Sequence, residues 1–304
     1  MKFQRTSADE QTRIRITITI SLLAVSALFG ASNTVIVARP DLVTLPGETR
    51  MERPPFTVTI SNRTRHVLLV GTEHTADTAS ATFRCIRDAF QSGKPDVLVI
   101  EREHSGLGIN PRAEMDPYRR TPPPAIRSES DFALICGVRA GCDVVFGEPP
   151  HGYIVSNISS YRVNGRSLSE TDLLYFYFIR VTADMQRRGM FSSAIDFAAR
   201  YESIITERRK RFGFSVRPGS YETFTRWYQD LNGETFSYER GLRYDPANGT
   251  RGTDMIGKYV SHIRDTHLIW LIATLANSYK RILVVYGGGH APSLEPALRE
   301  MFRN

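Results

Sequence analysis

Residues His66-Val67-Leu68-Leu69-Val70-Gly71-Thr72-Glu73-His74 read as an apolar, partly β-branched strand that stops at a glycine, with a histidine three residues further on. Near the carboxyl end the pattern returns as Leu283-Val284-Val285-Tyr286-Gly287-Gly288-Gly289-His290. A short apolar run bounded by turn formers fits a buried strand, and glycine allows the sharp turn that follows it. Open α/β sheets bind ligands beyond the carboxyl ends of their strands. Both histidines are therefore expected at one edge of one sheet.

The flanking sequence supplies the rest of such a sheet. Phe56 to Ile60, separated from the first strand by Ser61-Asn62-Arg63, predicts a hairpin. Phe83, Ile86 and Phe90 recur at helical spacing within Thr78 to Phe90, and Gly93-Lys94-Pro95 closes that helix. Val97 to Ile100 is a wholly apolar strand followed by Glu101, so residues 66 to 101 have the content of a β-α-β unit. After a Gly- and Pro-rich loop over 104 to 125, a helix over Ser128 to Val138 leads to a third strand, Asp143 to Phe146, and to Gly147-Glu148-Pro149. From about 167 the chain turns helical: Ser167-Leu168-Ser169-Glu170 matches a capping box, and amphipathic stretches cover 170–188, 192–211, 220–231 and 254–277. Arg281 to Tyr286 and Ser293 to Phe302 add a last strand and helix. The expected fold class is α/β, a central and largely parallel sheet with flanking helices and a helical insertion at about 167–260 between its two halves.

With 41% hydrophobic and 23% charged residues in 304, the composition excludes disordered, collagen-like and polytopic membrane proteins. The net charge of +7 comes almost wholly from arginine, since Lys2, Lys94, Lys210, Lys258 and Lys280 are the only lysines. No basic stripe interleaves with stacking aromatics, so no nucleic-acid partner is expected. Ile16 to Ala31 is apolar and follows Lys2, Arg5, Arg13 and Arg15, the layout of an export signal. Extended to Ala38 it reaches the length of a membrane anchor; the alternation from Ile14 to Ile20 also fits an ordinary strand. Residues 1–38 are thus expected to be an export signal or amino-terminal anchor, and 39–55, with Pro40, Pro46, Pro54 and Pro55, a linker. Residues 56–304 form the single domain. That places the bulk of the chain outside the cytoplasm, periplasmic or tethered to the cytoplasmic membrane, with membrane contact through the amino-terminal segment alone. Cys85, Cys136 and Cys142 include no CxxC pair; paired or free, Cys136 and Cys142 are expected to be structural.

Glu101 and Glu148 follow apolar strands as the histidines do, so His74, His290, Glu101 and Glu148 are expected to converge. Such a set suits two kinds of chemistry. Imidazoles with carboxylates hold a divalent ion and acidify its water; a histidine oriented by a glutamate serves as a general base without metal. Arg264-Asp265, ahead of an amphipathic run, reads either as a surface ion pair or as an arginine aimed into the cleft to clamp a carboxylate or an oxyanion. Tyr175, Phe176, Tyr177 and Phe178, with Phe191 and Phe197, read as helix core or as the wall of an apolar pocket, and Arg208-Arg209-Lys210-Arg211 as a solvated helix end suited to the macrodipole.

The segments His66 to His74, Lys94 to Glu101, Ile263-Arg264-Asp265 and Arg281 to His290 resemble the TraB/PrgY/GumN, TIKI and erythromycin-esterase superfamily, which includes the ChaN haem-binding proteins. The resemblance covers roughly residues 65–103 and 260–302. It implies an α/β fold in which His74, His290 and Glu101 match the family's site residues and Arg264 with Asp265 its arginine motif. One position departs: members often carry an arginine several residues beyond the strand-end glutamate, whereas here Arg102 is adjacent and the next is Arg112. The family includes metal-dependent proteases, histidine-dependent esterases and ligand binders. The leading expectation is a hydrolase acting on a peptide or small-molecule ester. In it, His74 and His290 bind a divalent ion (Mn, Co or Zn) or act as base, Glu101 is ligand or orienter, Glu148 is a further ligand, and Arg264 steadies the oxyanion. The alternatives are a haem or metal-chelate binder and a membrane-tethered regulator of a peptide signal.

Overall fold

The computed structural model describes residues 35–48, 53–103, 110–111, 115–120, 125–242, 245 and 247–303. The chain divides after Val35, and the fold described below belongs to the unit Ile36–Asn304. The export segment or anchor expected over 1–38 lies, as far as residue 34, outside the described residues.

Strand β1 (Phe56–Ser61) pairs antiparallel with β2 (His66–Thr72). Their turn is set by Asn62, whose side-chain oxygen accepts from the backbone N–H of Thr64 and of Arg65, each at 3.0 Å. Ser80 caps the next helix, α1 (Ala81–Gly93), which ends where Lys94 takes the left-handed conformation. Strand β3 (Val97–Ile100), helix α2 (Glu129–Ala140), capped by Ser128, and strand β4 (Asp143–Phe146) follow. The next elements are helix α3 (His151–Ile158) and the two-residue strands β5 (Arg162–Val163) and β6 (Arg166–Ser167). Helices α4 (Glu170–Arg187), α5 (Ala194–Ala199), α6 (Tyr201–Phe212), α7 (Tyr221–Asn232), α8 (Tyr238–Gly241) and α9 (Gly252–Ala276) come next, before β7 (Arg281–Gly287) and α10 (Ala291–Met301).

The sheet order is β1-β2-β7-β3-β4, with β2, β7, β3 and β4 mutually parallel. The expected β-α-β unit is present in content, but its two strands are not neighbours, because β7 lies between them. This insertion matters for function. Thr72 is level with Gly287, and Ile100 with both Val285 and Phe146, so four strands end along one edge. The chain segments that leave those ends carry His74, His290, Glu101 and Glu148.

Apolar faces cover the sheet on both sides. Against one face pack the second half of α9, helix α10 and a 3₁₀ turn at Pro40–Leu42, burying Val67, Leu69, Val99 and Val284. Against the other, α1 and α2 bury Leu98, Ile100, Val144 and Val285. Part of the expected linker and the end of the expected amino-terminal segment are packed chain: Val43, and Ile36 and Ala38 ahead of it, are buried in the layer that covers the sheet. The helices between β4 and β7 bury a separate aromatic cluster that contains Tyr175, Phe178, Phe197, Tyr201 and Phe224. Helix α9 runs through both cores, with Ile256, Val260 and Ile263 in the aromatic cluster and Leu268, Ile269 and Ile272 under the sheet. Arg264 and Asp265 fall at the junction.

Two local expectations are corrected. The capping box of α4 is Ser169 with Asp172, not Ser167 with Glu170, and the Glu170 carboxylate instead accepts from the Ser215 hydroxyl at 2.6 Å. The stretch 192–211 is two helices, joined at Arg200. All three cysteines are free, and burial pushes the Cys136 and Cys142 thiols up to about 11, which leaves them inert at neutral pH. Among the described residues no helix is long and apolar enough to cross a membrane.

Candidate active site

The structure brings His74, Glu101, His290, Glu148 and Arg264 together at the carboxyl edge of the sheet. Arg264 is the hub. Its Nε donates to Glu148 Oε2 at 2.6 Å, and its Nη2 donates both to Glu148 Oε1 at 2.5 Å and to Glu101 Oε1 at 2.6 Å. A planar guanidinium suits two-point contact with a carboxylate, and removing water from the pair makes each contact stronger. Burial alone lowers the tendency of Arg264 to hold its proton, but the two carboxylates outweigh it and raise the pKa well above the ordinary value.

Glu101 uses its second oxygen, Oε2, to accept the backbone N–H of Gly287 at 2.7 Å. Burial pushes its carboxyl up; Arg264, His290 and His74 oppose that more strongly and hold it down to about 2. Glu101 is therefore ionised throughout the physiological range and acts as an acceptor of protons only through hydrogen bonds.

The two histidines share an arrangement and differ in setting. His74 Nδ1 lies 2.7 Å from Glu129 Oε1, and His290 Nδ1 lies 2.5 Å from Asp265 Oδ1. In each pair the carboxylate is buried and leaves the imidazole Nε2 facing the site. The His74 side chain is 72% exposed, whereas that of His290 is 11% exposed. The hydrogen bond to Glu129 raises the His74 pKa, against a smaller opposing effect of burial. For His290, burial lowers the pKa and Asp265 raises it, with a net rise. His290 Nε2 is 3.9 Å from Glu101 Oε1, an ion-pair rather than a hydrogen-bond distance.

Gly287 shows how closely the groups converge. A Cβ built there would lie 3.1 Å from Glu101 Oε2 and 3.2 Å from His74 Nε2, so a side chain at this position would occupy the space between the His74 imidazole and the Glu101 carboxylate. Gly147 is tight for a related reason: a Cβ there would fall 2.5 Å from the hydroxyl of the buried Tyr286. Burial, and then the negative charge of Glu148, raises that hydroxyl's pKa well above its usual value, so it stays protonated.

Two cavities meet at this cluster. One of about 420 Å³ is lined by His74, Glu129 and Asp131 on α2 and its approach; a second of about 390 Å³ runs towards α4 and α6, and Glu101 and Arg102 line both. Arg102 bonds Tyr118 Oη at 3.0 Å and Asp131 Oδ1 at 3.2 Å.

The proposed ligand set of His74, His290, Glu101 and Glu148 does not fit a divalent ion as it stands. Glu148 places both oxygens on Arg264, Glu101 divides its oxygens between Arg264 and Gly287, and the cation that both carboxylates meet is the guanidinium. Among the described residues no group of three or more His, Cys, Asp or Glu side chains is arranged to hold a metal ion.

Nothing in the sequence singles out Glu129 or Tyr286, and Asp265 reads there only as part of the Arg264-Asp265 motif. Glu129 looks like an ordinary acid in the first turn of a helix, where such residues are common; its burial is a property of the packed fold. Glu73, by contrast, is exposed and apart from the cluster. Of the other histidines, His262 bridges Tyr161 and the Val43 carbonyl, His267 packs on Tyr153, and His66 is exposed. His104 lies outside the described residues.

Neither protein-family models nor curated protein sequences match this chain.

Proposed function

We propose that this protein is a hydrolase of ester or amide bonds in which His74 activates the attacking water. The observation that carries the reading is a histidine fixed at Nδ1 by a buried carboxylate, with its free Nε2 beside an ionised glutamate and open to a cavity. A base held in one tautomer by an acidic partner is the usual arrangement for proton abstraction from water. Glu101 orients that water. Arg264 gives its Nε and Nη2 to Glu101 and Glu148 and keeps them in place; Arg102, which lines both cavities and uses Nη1 for Tyr118 and Asp131, meets the charge developing on the carbonyl oxygen with the rest of its guanidinium. His290, held by Asp265 and lying beside Glu101, is a positioning residue. Two Gly-x-x-His corners, a strand-end glutamate and an arginine motif also support kinship with the TraB/TIKI/erythromycin-esterase superfamily and its helical insertion, which remain part of this proposal together with an extracytoplasmic location. The haem or chelate reading is less well supported, because Glu101, Arg102, Arg127, Glu129 and Asp131 line the cavity in front of His74, where a macrocycle needs apolar walls.

The test is hydrolysis of 4-nitrophenyl butyrate by the full chain beside its His74→Ala variant. Turnover that falls about 10³-fold in the variant supports the reading. Turnover retained in the variant, or none in the wild type across a panel of esters and peptides, overturns it.

A further inference from the structure

The second cavity carries its own chemistry. Helix α4 contributes Arg180, and the carboxyl-terminal end of α6 contributes Arg208 and Arg211, from the run that reads in sequence as a solvated helix end. Arg209, within the same run, turns away and donates to the Val216 carbonyl at 2.8 Å. Tyr177 and Phe212, stacked with ring centres 4.6 Å apart, form an apolar wall beside the arginines.

The lining also includes acids. Glu101 and Glu148 are held by Arg264, and Asp184 pairs with Arg187 and Arg188. Glu103 sits at the rim. Arg208 pairs with Glu207 at 2.5 Å. Arg180 and Arg211 have no carboxylate within ion-pair distance among the described residues, and both are exposed to the cavity side of their helices. Two guanidinium groups without a carboxylate partner among the described residues, that of Arg211 lying over the Phe212 ring at 5.7 Å, stand beside an aromatic wall one step from the proposed base through Glu101 and Arg102, and form a receptor for an anion attached to an apolar segment.

We propose that the Arg180/Arg211 cavity binds a carboxylate or phosphate group of the substrate, so that the molecule hydrolysed is an anionic ester or amide whose negative end lies between α4 and α6. This specifies the substrate class of the hydrolase proposed above and rests on that reading for its catalytic half. The anion site itself does not depend on turnover.

The experiment uses the full chain with Arg180→Gln/Arg211→Gln as the variant, both positions being exposed, and circular dichroism to check the fold. One arm compares the 4-nitrophenyl monoester of glutaric acid with neutral 4-nitrophenyl butyrate. The wild type is expected to prefer the anionic ester through KM. The double variant raises KM for that ester about tenfold, a loss on the scale of one charge-assisted contact, and leaves kcat and the neutral ester unchanged. Raising the salt to about 1 M removes the preference, because exposed charges are screened. The second arm titrates inorganic phosphate and glutarate calorimetrically into wild type, the double variant and His74→Ala. Saturable binding that survives in His74→Ala and disappears in the double variant supports the site, and the tighter of the two ligands identifies the anion. Binding that is absent, or unchanged in the double variant, overturns the inference even if esters are hydrolysed. Arginine-dependent binding without hydrolysis of any ester retains the anion site and overturns the hydrolase.

Discussion

The corners after β2 and β7 share a sequence pattern and differ in what surrounds it. At the first, His74 stands 72% exposed with Glu129 behind it; at the second, His290 is 11% exposed on an Asp265 that is 1% exposed. Both imidazoles are fixed at Nδ1 by a carboxylate, so chemistry at the residue level does not distinguish them. Position in the sheet does. Strand β7 is flanked on both sides, and the segment leaving it enters α10 directly, with His290 at the helix start. Strand β2 lies next to the edge strand, and eight residues separate its end from α1, which leaves His74 in the open. A repeated motif thus yields one exposed imidazole and one buried imidazole.

If that contrast is correct, substitution should separate the two corners. His74→Ala is expected to reduce kcat/KM about 10³-fold with a smaller loss in the urea midpoint than His290→Ala, since removing a 72% exposed ring costs little packing and lets water reach the Glu129 carboxylate it leaves behind. His290→Ala is expected to destabilise the fold by about 3–5 kcal/mol, because it leaves Asp265 as a buried charge without its partner; urea unfolding monitored by circular dichroism measures this. An equal stability loss in both variants would remove the distinction.

A smaller effect addresses the Glu129 partnership. Glu129→Gln takes away the carboxylate that stabilises the His74 imidazolium, so the base form appears at lower pH. The acidic limb of kcat/KM is expected to move to lower pH, with a loss of about 10²-fold in the plateau rate. An unmoved limb would show that Glu129 does not set the protonation of His74.

The smallest expected effect is in the pH dependence of stability. The His290 pKa is raised in the folded state, so its contribution is complete below the unfolded value of 6.5 and is lost as the pH rises through the folded value. Glu101 has the opposite sign: its contribution is present above 4.5 and is lost as the pH falls towards about 2. The urea midpoint of the wild type is expected to decline on both sides, His74 adding to the alkaline side, and Asp265→Asn to reduce the alkaline decline while leaving the acidic one.

Much of the sheet was legible because its signals are local. Val97 to Ile100 has no polar residue, Gly71 and Gly287 terminate their strands, and Asn62 marks the hairpin; each acts within a few residues. The strand order was not legible, since pairing of β7 between β2 and β3 depends on contacts across most of the chain. The same division applies to the site. His74, Glu101, His290 and Glu148 stand out because polar residues directly after buried strands are conspicuous. Glu129 does not, as nothing near it in sequence shows that α2 delivers it under His74. Arg208 and Arg211 looked like solvated charge for an equal reason: the cavity they face is built by α4, a helix away.

In the proposed reaction His74 is a base that works with an arginine, rather than a metal, between the carboxylates. Its most direct test is the turnover of 4-nitrophenyl butyrate by chelator-treated wild type, with metal content measured by elemental analysis, beside His74→Ala treated in the same way. Metal-free wild type is expected to keep its full rate, and the variant to lose it about 10³-fold. Loss of activity on chelation, with recovery on adding Mn, Co or Zn, would contradict this mechanism.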